Sequence, residues 1–283
     1  MRDSGYGSRQ SPRPRGRQSL MSTVRSSRFL RRILVALCIF GFVGCGAAQR
    51  EAQKRNKKAG FHHKLAAGYF HSKNIDLAIR ELMKGLAFEP EHSKSRYLLG
   101  FILFGRKRYE EAISNFKRSL ASNKGFFAAR NHLGVTYLAL ERWQDAIDTL
   151  KPLLKEPTYT TPYHPYNNIG WAYLKLRRLD LAEKHLRMAV FINPKFCQGH
   201  RNLGLLAEKR ADQPGAQQHF QEAVRRCPKI PSFHFSLGNL YCRSRQPDLA
   251  LKAYKVCTER AGASALGRRC RARVELVGEG GCR

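Results

Sequence analysis

The chain has 283 residues, of which 42% are hydrophobic and 10% aromatic, so it can bury a core and is not globally disordered. Its 52 Lys and Arg residues outnumber 21 Asp and Glu residues, for a net charge of +31. A charge of this size favours acidic partners such as nucleic acid, anionic lipid headgroups or an acidic protein. The basic residues are scattered, however, so a solvated basic surface explains them equally well.

The first 44 residues have the pattern of an export signal. Residues 1–20 are rich in Arg, Ser, Pro and Gly, and we expect them to be disordered or to precede the true initiator, Met21. Residues 21–44 contain several arginines, then the apolar run Ile33–Val43, then Gly44. This is the layout of a secretory signal peptide. The apolar run has eleven residues, and a membrane-spanning helix needs roughly 20.

The segment Phe42-Val43-Gly44-Cys45 resembles a bacterial lipobox, in which the cysteine becomes the lipidated first residue. It departs from that pattern at Phe42, where leucine is usual. The resemblance implies lipidation of Cys45, and Gly46 after it implies export to the outer membrane, on its periplasmic face. An ordinary signal peptide with an incidental cysteine is the alternative. Residues 45–58 are small and charged, which suits a tether.

A repeat with a period near 34 residues follows. An apolar residue and then a small one recur at steps of 34, 34, 36, 34 and 34 residues: Leu65-Ala66, Leu99-Gly100, Leu133-Gly134, Ile169-Gly170, Leu203-Gly204 and Leu237-Gly238. Twelve residues after each small residue comes an alanine: Ala78, Ala112, Ala146, Ala182, Ala216 and Ala250. Four residues later comes a large apolar residue: Leu82, Phe116, Leu150, Leu186, Phe220 and Tyr254.

This pattern predicts pairs of antiparallel helices. The small residues let the two helices approach closely, and the large residue fills the gap between adjacent units. One unit cannot bury its own apolar face, so the units must stack. The pattern resembles the tetratricopeptide repeat, which implies an all-α, right-handed superhelical solenoid. Six repeats are expected at 59–92, 93–126, 127–162, 163–196, 197–230 and 231–262, with a capping helix and tail at 263–283.

Two features depart from a regular array. A two-residue insertion follows the third repeat, and the three prolines between Lys155 and Pro165 predict a stiff, extended connection there. The chain also has six cysteines in its last 90 residues, which is typical of a disulfide set in an exported protein.

The six cysteines are Cys197, Cys227, Cys242, Cys257, Cys270 and Cys282. Cys197 begins the first helix of the fifth repeat and Cys227 ends its second, so antiparallel packing brings them together. The other four allow three connectivities, and we expect Cys242 and Cys257 each to pair with the tail. Free buried thiols are the alternative.

The resemblance also implies a binding surface. In tetratricopeptide repeats, positions 2, 5, 9 and 12 of each unit line the concave face. Here a groove of aromatic side chains beside a few amides is expected, formed by His63, Phe70, Tyr97, Phe101, Phe104, Asn131, Val135, Asn167 and Trp171. Such a surface suits an amphipathic or extended peptide. The alternative is that some of these aromatics pack against neighbouring helices.

No catalytic motif is present in the sequence, and we expect no enzyme activity. There is no G-x-S-x-G, P-loop, G-x-G-x-x-G or Cys-x-x-Cys, and the histidines are scattered. We therefore expect no catalytic residue, no metal and no cofactor.

The signal segment, Cys45 and six repeats together resemble the pilotin lipoproteins of type IV pilus biogenesis. The most specific part is the insertion Glu156–Tyr163, which leads into Tyr166–Gly170 and then Leu181–Lys184. The resemblance implies that the chain binds the secretin subunit and promotes secretin assembly in the outer membrane, supporting pilus formation and motility. We expect no nucleic-acid partner. The alternative is a lipoprotein that regulates peptidoglycan synthesis or envelope assembly.

Overall fold

A computed structural model describes residues 48–282 of the chain. Residues 48–58 belong to a first compact unit and are helical, although the sequence predicted a tether there. Residues 59–282 form a second unit. The predicted disordered start, the signal peptide and Cys45 lie outside the described residues.

The second unit consists of helices joined by short connections. No strand occurs among the described residues, which confirms the predicted all-α class. The helices are α1 (residues 59–71), α2 (Ile75–Phe88), α3 (Ser93–Gly105), α4 (Tyr109–Ser122), α5 (Phe127–Ala139), α6 (Trp143–Leu150), α7 (Tyr163–Lys175), α8 (Leu179–Ile192), α9 (Cys197–Lys209), α10 (Gln213–Arg226), α11 (Pro231–Arg243), α12 (Pro247–Ala261) and α13 (Ala265–Gly278). Consecutive helices pack on each other as six pairs, followed by α13 as a cap.

The turn inside each helix pair has one recurring geometry. In the second pair, Lys107 adopts a left-handed conformation with φ 60°. Its N–H donates to the Phe104 carbonyl at 2.9 Å, and the N–H of Arg108 donates to the Leu103 carbonyl at 2.9 Å. These two bonds form a Schellman motif that satisfies the last carbonyls of the helix. The same φ, between 55° and 63°, recurs at Lys73, Glu141, Arg177, Ala211 and Arg245.

In the second to sixth pairs, a glycine on the first helix packs against a large side chain on the second. A Cβ atom added at Gly100 would lie 2.9 Å from Phe116, and one at Gly170 would lie 2.7 Å from Leu186. Gly134, Gly204 and Gly238 face Leu150, Phe220 and Tyr254 in the same way. The large residue therefore contacts the glycine of its own repeat. The second helix could not approach so closely if the first carried a side chain there.

The connection after the third pair has a shorter extended part than predicted, because helix precedes and follows that part. A 3-10 helix covers Lys151–Lys155, and residues 156–162 contain no helix. The prediction that the extended connection reaches residue 165 is wrong, because Pro165 lies in the first turn of α7 and is buried. Proline is tolerated there since the first N–H groups of a helix have no partner within it.

Three disulfides lie in the last two helix pairs, the cap and the tail. Cys197 bonds to Cys227, with Cα atoms 6.1 Å apart, and so links the start of α9 to the end of α10. Cys242 bonds to Cys282, and Cys257 bonds to Cys270. The last two bonds attach the tail and α13 to the sixth pair.

The apolar core runs along the whole second unit. Its largest fully buried side chains include Tyr254, Phe116 and Phe220, which all occupy the same position of their repeats. Within residues 48–282, no helix has the length and apolar content needed to cross a membrane.

Candidate functional site

An apolar groove of about 500 Å³ opens among the first three helix pairs. It is lined by Phe70, Ile75, Phe101, Ile102, Phe104, Gly105, Arg106, His132 and Val135. We call these residues the aromatic groove. Four of them, Phe70, Phe101, Phe104 and Val135, are among the concave-face residues predicted from the sequence, and the structure brings them together.

Aromatic rings from successive first helices meet in the groove. The rings of Phe70 on α1 and Phe101 on α3 lie 5.7 Å apart in an edge-to-face arrangement. The ring of His132 on α5 lies 5.0 Å from that of Phe101. Edge-to-face pairs of this kind add stability beyond the area that they bury. Residues from three repeats therefore form one continuous wall.

Neither polar side chain of the groove, His132 or Arg106, carries an uncompensated charge. Burial lowers the pKa of His132 and outweighs the opposite effect of the hydrogen bond between its Nδ1 and the Ala128 carbonyl, at 2.9 Å, so the ring is neutral near pH 7. Arg106 donates to Asp76 at 2.6 Å, which compensates its charge. An apolar ligand can therefore occupy the groove without leaving an isolated charge in contact with it.

The other predicted groove residues lie elsewhere. Tyr97 is half-buried, and its ring lies 4.8 Å from Phe126 and 6.0 Å from the core residue Phe116. It supports the groove from behind, because its ring also lies 6.3 Å from Phe101. Tyr97 thus packs against neighbouring helices, which is the alternative that the sequence left open for some of the predicted groove aromatics.

The predicted amides are not placed to contact a ligand. Asn167 is only 4% exposed, and its Oδ1 accepts a hydrogen bond from Asn202 at 2.8 Å. A buried amide that is already paired between repeats has no capacity left for a partner's backbone. The Oδ1 atom of Asn131 is buried without a hydrogen-bond partner. Asn167 and Asn202 thus belong to the packing between α7 and α9.

His63 and Trp171 lie outside the aromatic groove. His63 packs near His92, with ring centroids 5.9 Å apart, and its Nδ1 is buried without a hydrogen-bond partner. Trp171 is half-buried, with the Lys175 ammonium 4.8 Å from its ring centroid. Trp171 is thus a half-buried surface position in the fourth repeat, one repeat beyond the groove.

Sequence reasoning missed Ile75, Ile102, Gly105, Arg106 and His132. Three of them lie at or just after a helix end, where the repeat pattern assigns no inward position. His132 sits one residue after the inward-facing position of its repeat, and no sequence signal distinguishes it from a surface histidine.

The described residues hold no group of three or more His, Cys, Asp or Glu side chains that could bind a metal ion. The geometry of the groove is that of a binding surface, with apolar walls and compensated polar groups at its edge.

Comparison with known proteins supports the repeat assignment. A tetratricopeptide-repeat family model matches residues 163–196, and a model described as anaphase-promoting complex, cyclosome, subunit 3 matches residues 71–153. The chain is 23% identical over 175 residues to the Hsp70-Hsp90 organising protein of Plasmodium falciparum. That match covers 59% of this chain but only 29% of the relative.

Solved structures share the fold along most of the chain. PilW, a type IV pilus biogenesis factor, has a TM-score of 0.66 at 17% identity, covering 75% of this chain and 97% of PilW. The pilF protein of Pseudomonas aeruginosa has a TM-score of 0.62 at 16% identity, covering 77% of this chain and 99% of pilF. A tetratricopeptide-repeat protein from Parabacteroides merdae has a TM-score of 0.65 at 15% identity, covering 79% and 88%.

Sequence identities this low show a shared fold and nothing finer. The period of the sequence, the six helix pairs, the glycine contacts and the repeat model at residues 163–196 all agree. The chain therefore has the fold of a tetratricopeptide-repeat solenoid.

Proposed function

We propose that the protein is an outer-membrane lipoprotein that binds the secretin subunit of the type IV pilus machine and promotes its assembly. The observation that carries this proposal is the aromatic groove. An open apolar cavity of about 500 Å³ falls within the usual size of ligand sites. Its walls suit the apolar side chains of an extended or helical segment.

The fold comparisons give the proposal its direction. The chain shares its fold with PilW and pilF over nearly their whole length, and PilW is described as a type IV pilus biogenesis factor. The irregular connection before the fourth repeat, at residues 156–162, is the sequence feature that most resembles the pilotin family. The lipobox-like segment ending at Cys45 supplies the proposed anchor.

The proposed role is binding without catalysis. Tetratricopeptide repeats act as protein-interaction modules, and the groove contains no arrangement of acid, base and nucleophile. A purified chain starting at residue 46 should therefore act stoichiometrically on its partner, and enzymatic turnover in the same preparation would contradict this.

The test compares groove and surface variants in a strain that lacks the gene. Phe101→Ala removes a central wall of the groove, and truncating such an anchor costs about 2 kcal/mol or more, or about thirtyfold in affinity. Secretin multimers in outer-membrane fractions should fall sharply, and motility should fall with them. Phe191→Ala is the matched control, because Phe191 is 80% exposed on α8 and lies outside the groove.

Trp171→Ala tests how far the bound segment extends along the concave face. If it reduces secretin multimers as Phe101→Ala does, the bound segment extends to the fourth repeat. Normal multimers in the Phe101→Ala strain, with the protein folded and present at normal level, would overturn the proposal. Normal multimers together with altered peptidoglycan synthesis would favour the alternative role in envelope assembly.

A further inference from the structure

The last two repeats and the cap carry a cluster of arginines on α9, α11 and α13, helices that continue the row that forms the aromatic groove. The members are Arg201 on α9, Arg243 on α11, and Arg269 and Arg273 on α13. We call these four residues the arginine cluster. Arg201 occupies the fifth position of its repeat, the same position as the groove-supporting residue Tyr97.

Direct contacts connect the cluster across elements. The Arg201 Nε donates to the Ser236 hydroxyl at 3.2 Å, which links α9 to α11. The Arg269 guanidinium lies 4.8 Å from the centre of the Phe235 ring, which links the cap to α11. Phe235 in turn packs against Tyr254, with ring centroids 5.9 Å apart. These contacts hold arginines from α9 and α13 against α11.

One carboxylate lies among these cations. Glu208 forms an ion pair with Arg243, and burial raises the pKa of Glu208 while Arg243 and Arg201 lower it. Burial also raises the pKa of Tyr254, while the positive charges of Arg273 and Arg243 lower it. Four guanidinium groups against one carboxylate leave an excess of positive charge.

Arg201 is the most informative member. It is partly buried, and its hydrogen bond to Ser236 is made through Nε. Burial lowers its pKa, which measures the cost of holding this cation away from water. A planar guanidinium whose terminal nitrogens are free to donate is the group best suited to bind a carboxylate with two parallel hydrogen bonds.

We propose that the arginine cluster binds an acidic segment of the same protein partner whose apolar residues occupy the aromatic groove. This inference rests on the proposed binding role of the groove. The occupant is a polypeptide, because the cluster follows the groove along one row of first helices. A chain lying along that row meets apolar walls at one end and guanidinium groups at the other.

The spacing sets the length of that segment. First helices of successive repeats contact one another, and packed helices lie about 10 Å apart. From α5 at the groove to α11 at the cluster there are three such steps, or about 30 Å. An extended chain spans this distance with about nine residues.

The test uses fluorescent synthetic peptides and the chain from residue 46 onward, with its disulfides intact. Each peptide has a short Leu- and Phe-rich head, a Gly/Ser spacer of about nine residues, and a tail of either Glu or Gln. Both orders of head and tail are made. The Glu-tailed peptide in one order should bind about tenfold more tightly than its Gln-tailed counterpart, and added salt should remove the difference.

Variants locate the effect. Arg269→Gln with Arg273→Gln should weaken the Glu-tailed peptide about fivefold and leave the Gln-tailed peptide unchanged. Both side chains are exposed, so the fold is retained. Lys229→Gln with Lys252→Gln removes the same charge from exposed positions outside the cluster and should change neither peptide.

Several results would overturn the inference. Equal affinity of Glu- and Gln-tailed peptides in both orders would exclude an acidic subsite. Equal weakening by the lysine control would show that net charge alone acts. Binding of phosphatidylglycerol vesicles that the arginine variant abolishes, without any preference for the Glu tail, would assign the cluster to lipid headgroups. The proposed binding role of the aromatic groove is tested separately. Binding of the Gln-tailed peptide depends on the groove and not on the arginine cluster, so Phe101→Ala should weaken it.

Discussion

A Cβ atom placed on Gly134 would lie 2.4 Å from the Cγ atom of Leu150, and Leu150 is fully buried. No side chain can occupy that space unless α5 and α6 move apart. The same relationship recurs in the other pairs, so the spacing of each helix pair depends on a glycine or alanine facing one large residue.

Gly134→Ala should therefore destabilise the protein, although alanine favours helix formation. Overpacking a dense core costs about 1–3 kcal/mol, which exceeds the gain of about 1 kcal/mol in helix propensity. Gly68→Ala on α1 is the matched control, because nothing lies within 4 Å of its added Cβ atom. It should stabilise the protein slightly in urea unfolding. Equal effects of the two substitutions would show that the close contact is not needed.

The disulfide between Cys197 and Cys227 should stabilise the fifth repeat. It closes a loop across 30 residues of sequence, and removing such a constraint costs about 3–4 kcal/mol in the chain-entropy description. Replacing both cysteines with serine should lower the urea midpoint of the oxidised protein. The difference from the native sequence should vanish in reductant. If reduction leaves the mass of the exported protein unchanged, its cysteines were free thiols.

His185 should make stability fall in mild acid. Its Nδ1 is buried without a hydrogen-bond partner, and burial, with smaller effects from Lys184 and Lys151, lowers its pKa from 6.5 to about 4. The unfolded chain binds a proton near pH 6.5, but the folded chain does so only near pH 4. The contribution of neutral His185 is thus complete above pH 6.5 and is lost as the pH falls toward 4.

The expected loss from this residue is about 2 kcal/mol between pH 7.5 and pH 5. His185→Phe keeps an aromatic ring between Tyr166 and Tyr173 and should flatten this part of the pH profile. His71→Gln, at an exposed histidine, serves as the control and should leave the profile unchanged. If the His185→Phe variant keeps the native pH dependence of stability, other buried histidines cause the loss of stability in acid.

Lipidation of Cys45 is expected from the apolar run and the lipobox-like residues before it. Cys45→Ala should abolish labelling by an alkyne fatty acid and release the protein from outer-membrane fractions. Cys38→Ala, inside the apolar run, should leave labelling unchanged. Unchanged labelling and fractionation of the Cys45 variant would indicate an ordinary signal peptide.

The repeat period is visible in the sequence because each repeat packs two helices closely against each other in the same way. The small residue at Gly100 and the large residue at Phe116 must meet whenever two helices pair closely, so their 16-residue spacing recurs along the chain. The pairing of Cys197 with Cys227 followed from the same geometry, since antiparallel helices bring the start of one beside the end of the other.

The composition of the groove was only partly predictable. The position within the repeat places Phe101 and Phe104 on the concave side, and both lie there. The same rule placed Asn167 on that side, but Asn202 from the next repeat covers and pairs with its amide. Position in a repeat determines the direction of a side chain, whereas its depth of burial depends on the neighbouring repeat.

What the sequence determined by itself is therefore local and periodic: helix pairs, their close contacts, and the number of repeats. The tertiary structure decided what lies between repeats. It brought His132 beside Phe101, it joined Cys242 to Cys282 and Cys257 to Cys270, and it gathered arginines from α9, α11 and α13. These contacts depend on how each helix pair rotates against the next, and that rotation results from many side chains packing at once, which no single spacing encodes.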